Sequence, residues 1–259
     1  MRALIHPTAI IADSARLAEN VTVGPYAVIG ADVSIGAGST VDAHVVIEGP
    51  TRIGEGNRFH PFSSIGGPPQ DKKYAGERTT LSIGNGNTIR ENVTINRGTS
   101  QDRGDTQIGD DNWIMAYVHV AHDCVVGDHT ILANNVTLAG HVHVGDYAIL
   151  GGFTKVHQFC RIGAHAFCSM NCDLNKDVPP YITAAGRMAV PRGINVEGLK
   201  RRGYTSDAIR KIRLAYKVLY RSDLGLEEAL VRMADDFGDE PALEDFVRFL
   251  RESERSIIR

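Results

Sequence analysis

An apolar residue recurs at every sixth position from Ile5 through Ile11, Leu17, Val23, Ile29, Ile35, Val41, Ile47, Ile53 and Phe59 to Ile65. The beat breaks at Asp71 and Glu77 and resumes in register at Ile83, Ile89 and Ile95. After a slip of one residue it runs through Ile108, Ile114, Val120, Val126, Leu132, Leu138, Val144, Leu150, Val156 and Ile162, with Cys168 and Leu174 closing it. A six-residue period matches neither an amphipathic helix nor strand alternation. One inward aliphatic residue per hexad, often followed by glycine (Gly24, Gly30, Gly54, Gly127, Gly145), predicts a short strand and then a corner. Three such faces make a triangular coil, and stacked coils pair their backbones at about 4.8 Å around a buried aliphatic column. The fold class is therefore mainly β, a parallel β-helix of hexapeptide repeats over residues 1–184.

Two segments leave the beat. Residues 66–82 carry prolines and charge where core residues belong, and residues 96–107 contain an extra residue and the polar run SQDRGD. Both read as excursion loops, the usual place for ligand contacts on a rigid scaffold. Beyond Val178-Pro179-Pro180 the period becomes helical. Ser206 is placed to cap a helix bearing Ile209, Ile212, Tyr216 and Leu219, and further helices are predicted over Leu226–Phe237, Ala242–Leu250 and, more briefly, Val196–Arg202. Pro241 suits a first turn. Residues 185–259 thus form a small C-terminal α-helical domain that caps the open end of the solenoid.

Composition sharpens this picture. Aromatic residues make up 7% of the 259 residues while glycine numbers 27, which favours tight corners over a core of large rings. The net charge of −3 gives no global reason to expect nucleic acid. Locally, residues 186–222 hold ten Lys or Arg against Glu197 and Asp207, a +8 patch suited to an acidic partner or a phosphorylated ligand. The four cysteines lack paired spacing, and no run approaches the roughly 20 apolar residues of a membrane span. A cytoplasmic protein with reduced thiols and no membrane insertion is expected.

Candidate chemistry gathers in Ile114–Gly145. Val120, Leu138 and Val156 are eighteen residues apart, so they stack on consecutive coils. That places His119, His122, His141 and His157 along one edge or its adjoining faces, while His129, His143 and His165 fall elsewhere, as surface or interface residues. Two chemistries compete for the cluster: an imidazole general base near neutral pH, or three imidazoles holding zinc, as in β-helices of the gamma carbonic anhydrase type.

The blocks QDKKYAGE (70–77), IRENVTINRGT (89–99), AHDCVVG (121–127), LANNVTLAGHVHV (132–144), VHQFCRIGAH (156–165) and NVEGLKRRG (195–203) resemble bacterial UDP-N-acetylglucosamine O-acyltransferases along essentially the whole chain. The resemblance implies a homotrimer of left-handed β-helices with active sites between subunits. It also implies transfer of an (R)-3-hydroxyacyl group from acyl carrier protein to the glucosamine 3-hydroxyl of UDP-N-acetylglucosamine, in lipid A biosynthesis. By it, His122 is the general base, Asp123 orients it and the Gly140 amide is the oxyanion donor, with no metal or cofactor required. Gln70, Asp71 and Lys73 would contact sugar and phosphate. His119, His141, Gly152 and His157 would line the cleft. Asn195, Glu197, Lys200, Arg201 and Arg202 would hold the nucleotide, and part of the basic patch would face the carrier protein.

Three positions depart from the family pattern. Asn96 and Met188 stand where histidine is usual, and Met170 stands where long-chain relatives carry glycine at the end of the acyl groove. A flexible thioether there fills volume that glycine leaves open, so Met170 is expected to act as an acyl-chain ruler favouring about ten to twelve carbons. The remaining alternatives are the N-acyltransferase of the same pathway, which usually carries an extra domain before its β-helix, and the zinc enzyme.

Overall fold

The computed structural model describes residues 4–259, a left-handed parallel β-helix followed by helices. Among the described residues, strands of two to five residues stack into three sheets of eleven, nine and eight strands. The first sheet begins at Leu4–Ile5, the second at Ile10–Ile11 and the third at Arg16–Leu17. From the first coil to strand Asp173–Leu174, partners lie eighteen residues apart wherever no excursion intervenes, as in Val120↔Leu138 and Leu138↔Val156; the last coil is shorter, with Phe167↔Thr183 sixteen apart. In the second sheet this register builds one buried column from Ile29, Ile47, Ile65, Ile95, Val120, Leu138 and Val156. Each such side chain contributes about 1.5–3 kcal/mol relative to an exposed one.

The corners explain where the few aromatic rings went. The third corner residue repeatedly takes a left-handed conformation, with φ of +58° at Tyr26, +63° at His141 and +66° at Phe159. A non-glycine residue is disfavoured there. Rings at this slot meet the ring one coil away, because ring stacking and coil repeat share a spacing of about 5 Å. Tyr26–His44–Phe62 stack at 5.2 and 5.1 Å, and His129–Tyr147–His165 at 4.7 and 4.9 Å. At the corner leading back to the first sheet, Asp110, Asp128 and Asp146 accept backbone N–H groups from Asn85, Asp110 and Asp128 at 2.6, 2.7 and 2.9 Å. A Cβ on Gly109 or Gly127 would collide with those carboxylates, which accounts for the recurring glycine.

Both excursions leave from the same corner, the one joining the second sheet to the third. They span the gaps between strands Ser64–Gly67 and Thr80–Ile83, and between Thr94–Asn96 and Asp105–Ile108. Their roots are tied together. Buried Arg97 donates to the carbonyls of Gly49 and Gly66, and Asn96 Nδ2 donates to the Pro68 carbonyl at 2.8 Å.

After the antiparallel strand Val190–Ile194, the chain forms α1 (Val196–Arg201), α2 (Ser206–Arg221), α3 (Leu226–Phe237) and α4 (Glu244–Glu252). The cap of α2 is Thr205 rather than Ser206. Thr205 has an extended backbone and its hydroxyl accepts the Ala208 N–H at 3.1 Å, whereas Ser206 is already helical. Pro241 opens a 3₁₀ turn before α4. The helices bury Ile209, Ile212, Leu219, Met233 and Phe246, and Phe246 stacks on Tyr181 above the last coil. No described helix is long and apolar enough to cross a membrane.

Candidate active site

The corner between the second and third sheets carries three consecutive rungs: Ala121-His122-Asp123-Cys124, Ala139-Gly140-His141-Val142 and His157-Gln158-Phe159-Cys160. His122 Nδ1 lies 2.9 Å from Asp123 Oδ2. Asp123, with φ of +59°, is fully buried, and its carboxylate also accepts Thr99 N–H at 2.9 Å and Thr99 Oγ1–H at 2.6 Å. A buried carboxylate satisfied by three donors stays in place and needs no metal to compensate it. Because a carboxylate only accepts, it holds the proton on Nδ1 and leaves His122 Nε2 bare.

Gly140 sits one coil from His122. A Cβ there would lie 2.5 Å from His122 Cε1 and 2.7 Å from Nε2, so the imidazole packs directly against the glycine backbone. The Gly140 N–H has no acceptor among the described residues. An uncommitted donor beside a bare imidazole nitrogen suits acyl transfer.

Around this pair is a cleft of about 1000 Å³ lined by Gln70, Asp71 and Lys73 of the first excursion, Asp102 of the second, and His122 and His141. The two imidazoles meet edge to face at 5.0 Å. His122, Asp123 and His141 also bring their ligand atoms within 4.8 Å of one another. In that group Asp123 is already engaged by Thr99 and His122, so a metal would have to displace existing hydrogen bonds.

The other expected residues divide among the edges. His119 lies on the second sheet with Nδ1 2.7 Å from Thr94 Oγ1, and burial, reinforced by His122, lowers its pKa. His157 Nδ1 lies 3.1 Å from Arg255 Nη2 and 3.1 Å from the Gln158 carbonyl oxygen. Gly152 and Met170 occupy the corner between the first and second sheets, where Met170 is 68% exposed. Asn195, Glu197, Arg201 and Arg202 line a separate pocket of about 380 Å³ beside Tyr147 and His165, at the corner returning to the first sheet. There Arg202 lies over the Tyr147 ring at 4.5 Å, and Lys200 pairs with Glu197 at 3.2 Å. Asn195 caps α1 through Gly198 N–H and donates to the His165 carbonyl. One chain therefore does not bring the three groups together.

His143 is exposed on the third sheet, off the His122 corner as expected, and also lines the main cleft. One histidine needs correction. His165 is buried, not a surface residue: it stacks between Tyr147 and Tyr181, bonds the Tyr204 hydroxyl at 3.2 Å, and has its pKa lowered by that burial and then by Arg202. Asp102 and Phe159 were not anticipated. Phe159 follows His141 by one coil, a signal present in the period; Asp102 lies in an excursion with no period to read. All four cysteines are free and buried, and burial pushes the Cys124 thiol up to about 12.

A family model described as UDP N-acetylglucosamine O-acyltransferase, domain 2, matches residues 177–258, and one described as bacterial transferase hexapeptide (six repeats) matches residues 105–140. The chain is 59% identical over 260 residues to the acyl-[acyl-carrier-protein]–UDP-N-acetylglucosamine O-acyltransferase of Janthinobacterium sp. (strain Marseille), covering 99% of both. It is 56% identical to the enzyme of that description from Herminiimonas arsenicoxydans, again over 99% of each. Among solved structures, LpxA from Acinetobacter baumannii matches with a TM-score of 0.97 at 46% identity, covering 99% of this chain and 100% of that one. The Arabidopsis UDP-N-acetylglucosamine acyltransferase matches with a TM-score of 0.88 at 36% identity, covering 99% and 100%.

Proposed function

The chain belongs to the UDP-N-acetylglucosamine O-acyltransferase family, and from that premise we propose how its residues carry the reaction. The enzyme transfers an (R)-3-hydroxyacyl group from acyl carrier protein to the glucosamine 3-hydroxyl of UDP-N-acetylglucosamine, in lipid A biosynthesis. His122 Nε2 removes the hydroxyl proton while Asp123 holds Nδ1–H and stabilises the imidazolium that forms. The freed oxygen attacks the thioester carbonyl. The oxyanion then accepts from the Gly140 N–H, and collapse expels the carrier thiolate, which takes the proton from His122. The observation that carries this reading is the pairing of half-buried His122 with buried Asp123, packed against a Gly140 amide without a partner among the described residues.

Gln70, Asp71 and Lys73 border the same cleft and suit sugar and phosphate contacts. Arg201 and Arg202 suit a nucleotide, and Arg213, Lys217 and Arg221, which recur along α2 without ion pairs among the described residues, suit the acidic carrier. Because the base, the Met170 corner and the nucleotide pocket lie on different edges, we infer a homotrimer in which neighbouring copies complete each site.

An acyl-transfer assay with UDP-N-acetylglucosamine and a ladder of (R)-3-hydroxyacyl carrier proteins tests this reading. His122→Ala is expected to lose about 10²–10⁴-fold in rate, and chelator is expected to have no effect. Retained activity in the variant would remove His122 as base. Loss with chelator would favour the metal reading, and transfer only to an amine acceptor would favour the N-acyltransferase.

A further inference from the structure

We propose that Asp102, at the tip of the second excursion, is a positioning residue. It fixes His141 so that the ring's Nε2 stands in the cleft as an acceptor for a hydroxyl or N–H of the sugar substrate. The proposal rests on the acceptor-sugar reading above and adds a residue to it.

His141 Nδ1 lies 2.6 Å from Asp102 Oδ2, a contact that spans 39 positions of sequence. The nearest oxygen of Asp123 is 3.9 Å from the same nitrogen, beyond hydrogen-bonding reach, so Asp102 alone settles that end of the ring. A carboxylate only accepts, hence Nδ1 carries the proton and the neutral ring presents a bare Nε2. That nitrogen has no partner among the described residues. The ring plane is fixed as well. Phe159 stacks on it at 4.3 Å and 9°, and His122 meets its edge at 87°.

The second excursion is thus tied to the histidine edge at both ends, in opposite senses. At its root Thr99 donates to the Asp123 carboxylate, and at its tip Asp102 accepts from His141. The other charged or titratable groups around the cleft are His122 and Asp123 on the same edge, Asp71, Lys72 and Lys73 on the first excursion, His143 and Arg161 on the third sheet, Arg103 on the second excursion, and Asp177, Glu252, Glu254 and Arg255 at its far side. None of them touches His141 Nδ1 within hydrogen-bonding distance. Without Asp102, both tautomers are open to the ring, and the wrong one puts an N–H where an acceptor is required.

Alanine at position 102 is the sharp probe, because it removes the acceptor from Nδ1; asparagine replaces a carboxylate that only accepts with an amide that can either accept from Nδ1–H or donate to a bare Nδ1. Steady-state acyl transfer by Asp102→Ala is expected to show KM for UDP-N-acetylglucosamine raised about tenfold, a charge-assisted bond discounted for a half-exposed carboxylate. The kcat value is expected to stay within about threefold. Asp102→Glu should recover most of the loss. On a His141→Gln background, Asp102→Ala should add nothing, since its effect runs through the ring. In ¹⁵N spectra of histidine-labelled enzyme, His141 Nδ1 should appear protonated in the wild type and lose that signature in Asp102→Ala. An unchanged KM in Asp102→Ala, or an equal further loss when Asp102→Ala is placed on the His141→Gln background, overturns the proposal while the acceptor reading stands. Absence of transfer by the wild-type chain overturns the acceptor reading, and this proposal with it.

Discussion

Gly140→Ala is the smallest change that tests the geometry of the base. The added Cβ would stand 2.5 Å from His122 Cε1 and 2.7 Å from Nε2, where ordinary contact begins at 3.4 Å. The imidazole must therefore retreat by about an ångström, and a displacement of that size at a reacting group costs on the order of 10²-fold in rate. Retreat also stretches the 2.9 Å bond to Asp123, which is buried and held by Thr99 and cannot follow. Gly140 does not occupy the left-handed region, so alanine brings no backbone penalty of its own. The expected result is a roughly 10²-fold fall in kcat/KM for acyl transfer, with melting temperature and oligomeric state close to wild type. A variant within threefold of wild type would show that the ring sits elsewhere during catalysis, and the argument from Gly140 packing would fail.

Further tests address the other edges and the fold. Met170→Gly should move the preferred acyl chain from about ten to twelve carbons toward longer ones, read from the same ladder of carrier proteins; an unchanged preference removes the ruler. Mixing inactive His122→Ala with inactive Arg202→Ala chains, by unfolding and reassembly, should restore activity if copies share sites, and fail if each chain is self-sufficient. His165 has its pKa lowered below 6.5 by burial, so it binds a proton more readily unfolded than folded. Its contribution is therefore full above 6.5 and lost as pH falls below it. The wild-type melting temperature should drop more between pH 7 and 5 than that of His165→Phe, which keeps the ring stack without the proton. Parallel pH profiles would refute this.

The scaffold was legible because a six-residue period has few physical solutions, and the two breaks in the beat marked both excursions. What adjacency could not show was whether Asp123 reaches His122. In an extended strand neighbouring side chains diverge, and it is the left-handed turn at Asp123 that brings the carboxylate back to the ring. The four-histidine edge was legible in phase but not in contact. His122 and His141 touch, while His119 is spent on Thr94 and His157 on Arg255. Asp102 was invisible because an aperiodic loop gives no register. The role of His165 was hidden because its partner Tyr204 comes from the helical region, 39 residues on.

A solenoid cannot fold around its substrate. Each coil adds the same straight wall, and a stack of equal corners offers ridges rather than a pocket. Concavity has to come from chain that stands off the wall or from a second wall placed against the first. This chain uses the first device around His122: both excursions leave from the corner that bears it, and their residues supply Gln70, Asp71, Lys73 and Asp102 to the cleft. The pocket lined by Asn195, Glu197, Arg201 and Arg202 uses helix α1, held over a different corner through Asn195, His165 and Tyr204. Neither device reaches the Met170 corner in one chain. If all three groups serve one transfer, the second wall must be another copy, which is why the mixing of His122→Ala with Arg202→Ala chains is the test of the proposed assembly.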